Sequence, residues 1–193
     1  GAGWGDTAVG PLADTPRPKL RRQHVGFVFQ AFNLVPTLTA RENIEYFGRL
    51  HGLDEVTLKQ RTDALIASLG IEDIAGRRTE GFSTGQRVKT AIARALVHDP
   101  RNVLLDEPTN GLDVMATRAL RRFMLQLRAE GRCVLFSSHI MQEVAALCDR
   151  IVVIAKGRVV AQDTADELRA QTGEANHEDA FVKVIGSEEG LSL

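Results

Sequence analysis

The chain has 193 residues, of which 44% are hydrophobic and 25% are charged, and its formal net charge is −1. This balance is typical of one soluble globular domain with a sizeable core, and it gives no electrostatic footprint for a nucleic-acid partner. No apolar run approaches the length of a membrane span, so we expect a chain that does not insert in a membrane by itself.

The first predicted elements are short strands. Residues 1–18 are rich in Gly, Pro, Asp and Thr, and only Trp4 to Val9 have the composition of a strand. The apolar run Val25 to Phe29 predicts a second strand, which ends at Gln30.

Two helices are predicted next. Thr39 and Glu42 have the spacing of a capping box at the start of the first helix, which Gly52 ends. We expect one face of this helix to be apolar: Ile44, Phe47 and Leu50. The second helix ends at Gly70 and carries another apolar stripe: Leu58, Leu65, Ile66 and Leu69.

A polar turn leads into the following helix. Residues 82–87 read Phe-Ser-Thr-Gly-Gln-Arg, and Ser83 with Gln86 forms a second capping-box pattern. The free N–H groups and the dipole at such a helix N-terminus favour a phosphate, although a Ser cap alone is usually only a cap.

Two adjacent carboxylates follow the next apolar run. Residues 102–105 are bounded downstream by Pro108 and Gly111 and predict a buried strand whose carboxyl end delivers Asp106 and Glu107. Successive strand side chains point to opposite faces, so one acid can hold Mg²⁺ while the other acts as a general base. Acid pairs also end strands simply because loops are solvated, and these two residues alone do not decide between the two interpretations.

The rest of the chain continues the alternation of helices and strands. A helix is predicted from Asp113 to about Glu130, followed by a buried strand over 134–138 that ends at a lone His139. We interpret Cys133, in a strand, and Cys148, on an apolar helix face, as small buried hydrophobic residues.

The last predicted elements are a hairpin and two helices. Ile151 to Ala155 and Arg158 to Ala161 form the hairpin, and Thr164 with Glu167 caps a helix. A polar tail over 173–193 contains an apolar segment around Phe181 that can dock as a terminal helix. Alternating strands and helices predict an α/β domain with its ligand crevice at the strand carboxyl ends.

The order of these motifs resembles the ATP-binding subunit of ABC transporters over nearly the whole chain. Residues 28–30 resemble the Q-loop, 82–86 the signature loop, 103–107 the Walker B strand, 111–113 the D-loop, and His139 the switch histidine. The sequences of residues 47–53, 82–86 and 135–139 most resemble those of the sodium-exporter and drug-exporter group of these subunits.

The resemblance implies a P-loop NTPase-like core sheet flanked by helices, with a helical subdomain over 31–85 inside one N-terminally incomplete domain over 1–193. The groove of that subdomain would receive a helix of a transmembrane permease subunit, and the candidate contacts are Phe32, Tyr46 and Phe47. The resemblance also implies a peripheral location on the cytoplasmic face of the cell membrane.

The same resemblance implies the cofactors ATP and Mg²⁺ and a role for each motif. Glu107 would activate the attacking water, His139 would hydrogen-bond the γ-phosphate, and Gln30 would contact Mg²⁺ or that water. Asp106 would hold Mg²⁺. A second ABC ATPase subunit, identical or different, would complete the site, with Asp113 at the dimer seam and four residues contacting its ATP: Ser83, Thr84, Gly85 and Gln86.

One element that the resemblance requires is missing from the sequence. The motif Gly-x-x-x-x-Gly-Lys-Ser/Thr, whose amides, Lys and hydroxyl meet phosphates and Mg²⁺, occurs nowhere in the chain. We therefore expect the first strands and the P-loop of an ABC ATPase to be absent, as in a fragment or a deletion product.

Three functions stay open at this point. The chain is an ATP-hydrolysing exporter subunit, a non-catalytic ABC-like module that binds partners, or a translation-associated ABC protein. The third is disfavoured because such proteins carry two sets of motifs and this chain has one. A separation of 53 residues between Gln30 and Ser83 also excludes the long coiled-coil insertion of chromosome-maintenance ABC ATPases.

Overall fold

A computed structural model describes residues 3–4, 7–8 and 23–189, with side chains placed for residues 23–186. Two short strands, β1 (Gly3–Trp4) and β2 (Thr7–Ala8), pair antiparallel. They lie where a single strand was predicted over Trp4 to Val9, and Val9 falls outside the described residues.

The chain divides into two compact units, residues 1–137 and 138–193. Its first unit includes, among the described residues and in chain order, β3 (Val25–Val28), α1 (Ala40–Leu50), α2 (Glu55–Leu69), α3 (Thr84–Leu96), β4 (Asn102–Leu105), α4 (Val114–Ala129) and β5 (Cys133–Phe136). The second contains α5 (Met141–Leu147), β6 (Ile151–Ala155), β7 (Arg158–Asp163), α6 (Ala165–Thr172) and α7 (His177–Glu189).

The first unit is built on a parallel sheet in the order β3-β4-β5. Val28, Leu105 and Phe136 lie side by side at the carboxyl ends of the three strands. The ladder continues for one more residue, because the Asp106 N–H donates to the Val28 carbonyl at 2.9 Å and the Ser137 N–H to the Leu105 carbonyl at 3.0 Å. The predicted α/β organisation is confirmed, and the three strands end at one edge.

The helices of the first unit begin where the sequence predicts. Capping boxes at Thr39 and Ser83 start α1 and α3, and the Asp113 carboxylate caps α4 by accepting from the Ala116 N–H at 2.8 Å. Each cap satisfies backbone donors that the first turn leaves without a helical partner. Buried apolar residues lie on one face of each helix, but Leu50 is exposed, so the prediction that it shares the buried face of α1 is wrong.

Helix α3 approaches strand β3 very closely at Gly26. A Cβ atom at this position would collide with the Ala95 carbonyl oxygen, a backbone atom that cannot move aside easily. Only glycine permits this close approach, which brings the helix directly onto the strand.

Strand β5 differs from the prediction of a buried strand. Its residues alternate between exposed and half-buried, and Leu135 is 58% exposed. The physical reason is that β5 is the edge of the described sheet, with α4 packed against it. Cys133 is accordingly exposed and Cys148 only half-buried, so the prediction that both are buried is wrong, although burial still raises the pKa of the Cys148 thiol.

The second unit is a hairpin with three helices. Strands β6 and β7 pair antiparallel, and the turn residues Lys156 and Gly157 both have positive φ, as a tight hairpin requires. The predicted hairpin is confirmed, with β7 extending to Asp163, and a capping box at Thr164 starts α6 as expected. The terminal helix is also confirmed as α7, which packs on α6 and contains the buried Ala180.

Within the described ranges, no helix combines the length and the apolar character needed to cross a membrane.

We expect the first unit to lose stability on mild acidification because of His98. The ring of His98 stacks on that of His51 with centroids 3.7 Å apart. Burial, reinforced by His51 and Arg61, lowers the pKa of His98 from 6.5 to about 4. The unfolded chain therefore binds a proton below pH 6.5 that the folded chain does not bind until about pH 4, so stability present above pH 6.5 is lost as the pH falls through this window.

Urea unfolding at pH 7.5 and at pH 5 measures this effect. The drop in the unfolding midpoint on acidification is expected to shrink in His98→Gln and to persist in His24→Gln, a histidine control from the same unit. An equal drop in all three proteins would show that other groups control the acid sensitivity.

Candidate functional site

The carboxyl ends of β3, β4 and β5 bring four polar side chains to one edge of the sheet. Gln30 follows β3, Asp106 and Glu107 follow β4, and Ser137 follows β5. We call this group the acid edge. Gln30, Asp106 and Ser137 are exposed and Glu107 is half-buried, so the group is open to a ligand.

Ser137 organises the two acids of this edge. Its Oγ donates to the Asp106 carboxylate at 2.7 Å and accepts from the Glu107 N–H at 2.9 Å. One hydroxyl therefore fixes the Asp106 side chain and the Glu107 backbone together. A charge-assisted bond of this kind is stronger than one between neutral groups, which holds the Asp106 carboxylate in one orientation.

Glu107 has an unusual backbone conformation. Its φ is +47°, in the left-handed region that a residue with a side chain rarely occupies. Such a conformation costs on the order of 1 kcal/mol and persists only where neighbours enforce it. The bond to Ser137 and the turn in which the Asn110 N–H donates to the Glu107 carbonyl at 3.1 Å supply that constraint.

Gln30 lies between β3 and a second unusual turn. Phe32 and Asn33 have φ values of +56° and +49°, and their N–H groups donate to the carbonyls of Phe29 and Ala31 at 2.8 and 2.6 Å. Both carbonyls belong to the immediate neighbours of Gln30. The backbone around Gln30 is thus set by the turn that follows it.

The turn Ser83–Gln86, which we call the signature turn, forms the start of α3. The Ser83 Oγ accepts from the Gln86 N–H at 3.3 Å, and the Gln86 side-chain oxygen accepts from the Ser83 N–H at 3.0 Å. Ser83 itself is exposed and the other three residues are half-buried. The predicted capping box is confirmed, and it presents the Ser83 hydroxyl at a helix N-terminus.

The turn before α4 packs against the signature turn. A Cβ at Gly111 would lie 3.7 Å from the Thr84 methyl, and a Cβ at Gly85 would lie 3.7 Å from the Cβ of Ala116. The Thr84 methyl therefore lies beside the turn that contains Gly111 and Asp113. Asp113 is exposed and engaged in capping α4.

His139 belongs to the second unit. It is exposed and precedes α5, and the Ile140 N–H beside it donates to the Ser138 Oγ at 3.1 Å. Its predicted association with the acid edge stays a prediction.

The chemistry of the acid edge fits a magnesium ion that is also held by a phosphate. Mg²⁺ takes oxygen ligands, keeps several waters and is usually bound by one or two carboxylates together with substrate phosphates. Asp106, Glu107 and Gln30 supply carboxylate and amide oxygens, and the described residues contain no cluster of three or more acidic, His or Cys ligands that would bind a metal alone. The Lys and hydroxyl of a P-loop are not supplied by the sequence.

Sequence reasoning found the acids but missed two residues that position the site. The sequence predicts Ser137 only as part of a strand, although its position at the carboxyl end of that strand, two residues before His139, is a signal for a site residue. Arg94, whose guanidinium donates to the Phe32 and Asn33 carbonyls, carries no local signal on α3.

Comparison with known proteins gives close relatives. The family profile described as "ABC transporter" matches residues 8–110. The chain is 44% identical to the ABC transporter ATP-binding protein NatA of Bacillus subtilis over 79% of this chain and 62% of that protein. It is 34% identical to the linearmycin resistance ATP-binding protein LnrL of the same organism, over 88% of this chain and 54% of that protein. The chain thus spans little more than half the length of these relatives.

Solved structures agree with the sequence comparison. A dimeric ATP-binding cassette in a post-hydrolysis state, bound to ADP and phosphate, has a TM-score of 0.70 and 29% identity over 80% of this chain and 68% of that one. The ATP-binding subunit of an ABC transporter has a TM-score of 0.78 and 29% identity over 88% of this chain and 71% of that one. The P-loop NTPase-like fold predicted from the motifs is therefore confirmed. With the family profile matching more than half of the chain, the protein belongs to the ABC transporter family and is similar to its ATP-binding subunits.

Proposed function

We propose that the chain is the ATP-hydrolysing part of an exporter, which couples hydrolysis to transport by a separate transmembrane permease subunit at the cytoplasmic face of the membrane. The observation that carries the proposal is the acid edge, where one hydroxyl orients Asp106 and holds Glu107 in a strained conformation. Backbone strain of this kind clusters at functional sites. The resemblance to the sodium-exporter group makes Na⁺ the transported ion to test first.

Each residue of the acid edge has a distinct task in this proposal. Mg²⁺-ATP, when bound, supplies the phosphoryl group that is transferred to water. Asp106, whose carboxylate is oriented by Ser137, would hold Mg²⁺, and Gln30 would offer its amide oxygen to the metal or to the water. Glu107 would orient that water and accept its proton as general base. His139, which is not part of the acid edge, would donate a hydrogen bond to the γ-phosphate. Positioning and electrostatics supply most of the catalysis in phosphoryl transfer.

A second ABC ATPase subunit completes the proposed site. The signature turn presents a hydroxyl, backbone N–H groups and the positive end of the α3 dipole, which together suit a phosphate. We infer that Ser83, Thr84, Gly85 and Gln86 serve the ATP held by the partner, and that Asp113 lies at the seam. The dimeric relative bound to ADP and phosphate supports this arrangement.

One observation favours a second candidate function. The sequence contains no Gly-x-x-x-x-Gly-Lys-Ser/Thr motif, which supplies most direct phosphate contacts in this family. In this alternative the chain is a nucleotide-binding-deficient fragment or a non-catalytic module. Its signature turn would contact the ATP bound by an intact partner, and the chain would also bind the permease.

Mg²⁺-ATP binding measured by calorimetry separates the two. The chain is compared with a P-loop-completed chain, in which the strand, P-loop and helix of an ABC ATPase precede Val25. We expect the chain alone to bind in the millimolar range or not at all, and the completed chain to bind about 100-fold tighter, a difference of about 2.7 kcal/mol, and to hydrolyse ATP.

Asp106→Ala and Asp73→Ala in the completed chain test whether the acid edge holds the metal. Asp106→Ala is expected to weaken Mg²⁺-dependent binding about tenfold, whereas Asp73→Ala, an exposed aspartate outside the edge, leaves it unchanged. A completed chain that binds a permease but hydrolyses no ATP would support the non-catalytic module. Micromolar binding by the chain alone would show that its own residues replace the P-loop.

A further inference from the structure

Arg94 is a buried cation on α3 with an uncommon set of partners. It is 5% exposed, its Nη1 donates to the Asn33 carbonyl at 2.6 Å, and its Nη2 donates to the Phe32 carbonyl at 2.7 Å. The guanidinium carbon also lies 4.6 Å from the centroid of the Phe47 ring. The planar fork of Arg therefore grips two successive carbonyls and stacks on an aromatic face.

The turn that Arg94 grips is one that the chain would not adopt by itself. Phe32 and Asn33 are consecutive residues with side chains, and both have left-handed φ values. This conformation is unfavourable for Phe32, less so for Asn33, and it persists only where neighbouring groups constrain it. It also turns both carbonyls toward one point, which is where the guanidinium lies.

The buried charge of Arg94 is stabilised by the carbonyl groups of the turn and by no carboxylate among the described side chains. Burial lowers the pKa of its guanidinium, and none of the carboxylates among the described side chains forms an ion pair with it. The guanidinium instead contacts two carbonyl dipoles and the Phe47 ring. The turn and the guanidinium therefore stabilise each other, because neither is satisfied without the other.

This pair connects two parts of the proposed site. Phe32 and Asn33 bond back to Phe29 and Ala31, the neighbours of Gln30. Arg94 stands on the helix whose first turn is the signature turn. We propose that Arg94 is a positioning residue that fixes the turn after Gln30 to α3, so that Gln30 and the signature turn move as one body. This inference rests on the proposed function for the roles of Gln30 and Ser83.

Other contacts to the same loop lie farther from Gln30. The Asn43 amide and the Thr79 hydroxyl bind the backbone of Val35, and the Asn43 amide also binds that of Leu38. They hold the outer part of the loop on α1 and leave the Phe32 and Asn33 carbonyls to Arg94. Removal of Arg94 should therefore loosen the inner part of the loop alone.

Hydrogen exchange on the 193-residue chain, measured without nucleotide, tests whether Arg94 holds the turn at Phe32 and Asn33. Arg94→Lys keeps the charge but loses the fork, and Arg94→Met keeps much of the stem without charge. We expect both to raise the exchange rates of the Phe32 and Asn33 amides at least about tenfold, while the amides of β4 exchange as in the unsubstituted chain. Arg122→Met, an exposed arginine on α4, serves as control and should change none of these rates.

Two outcomes of this experiment would overturn the inference. In the first, a folded Arg94→Lys protein shows unchanged exchange at Phe32 and Asn33. In the second, all amides of the first unit exchange faster by the same factor, which is the result expected of a residue that only stabilises the core. If Arg94→Met does not fold, Arg94→Lys alone decides between these outcomes.

Steady-state kinetics of the P-loop-completed chain test the link to Gln30. Arg94→Lys is expected to lower kcat about tenfold with KM changed less than about twofold, because a misplaced Gln30 affects the transition state more than ATP binding. Unchanged kcat with accelerated exchange would overturn the positioning role. If the unsubstituted completed chain hydrolyses no ATP, the proposed function fails, and hydrogen exchange alone then decides whether Arg94 holds the turn.

Discussion

Glu107→Gln is expected to lower ATP turnover of the P-loop-completed chain by at least about 100-fold, the range found when a general base is removed. The amide of Gln matches the carboxylate in size, and the Glu107 N–H still donates to the Ser137 Oγ, so the strained backbone is kept. Mg²⁺-ATP affinity is expected to change less than about threefold, since Asp106 and its bond to Ser137 remain. Phosphate release under multiple turnover and calorimetry measure the two quantities.

The matched control is Glu72→Gln, which makes the same chemical change at an exposed glutamate of the short 3₁₀ helix Glu72–Ile74. It should leave both turnover and affinity unchanged. Turnover near that of the unsubstituted protein in Glu107→Gln would remove Glu107 from the role of base. Loss of affinity in parallel with turnover would instead assign this carboxylate to binding.

The features that the sequence predicted well are local. Capping boxes at Thr39, Ser83 and Thr164 all form as expected, because each depends only on two side chains three residues apart. The ends of β4 and the hairpin of β6 and β7 were likewise readable from short apolar runs and turn residues. The motif order predicted the family for the same reason, since each motif is a contiguous segment.

The features that the sequence did not predict depend on contacts between distant segments. Ser137 and Asp106 are 31 residues apart, and Arg94 and Asn33 are 61 apart, so no periodicity or spacing rule connects them. The exposure of Leu135 was missed for a related reason. An apolar run predicts a strand, but its burial depends on which elements pack against it, and β5 lies at the edge of the described sheet.

Asn43→Ala is expected to destabilise the 193-residue chain by about 3 kcal/mol, because it removes the acceptor of the part-buried Val35 N–H and opens a small cavity. Asn43 is completely buried on α1. Its Oδ1 accepts from the Val35 N–H at 2.8 Å, and its Nδ2 lies within 3.3 Å of three carbonyl oxygens, those of Val35, Leu38 and Thr39. The alanine variant therefore leaves the Val35 N–H without its side-chain acceptor. It also removes the amide donor that the three carbonyl oxygens share.

Urea unfolding followed by circular dichroism measures this loss, with Gln60→Ala, an exposed amide of α2, as control. Asn43→Asp tests the contribution of the Nδ2 donor separately from that of the Oδ1 acceptor. The aspartate keeps an acceptor for the Val35 N–H but places a carboxylate against three carbonyl oxygens, so at pH 7 it should be at least as destabilising as alanine. If Asn43→Asp were as stable as the unsubstituted chain, the Nδ2 bonds would contribute nothing.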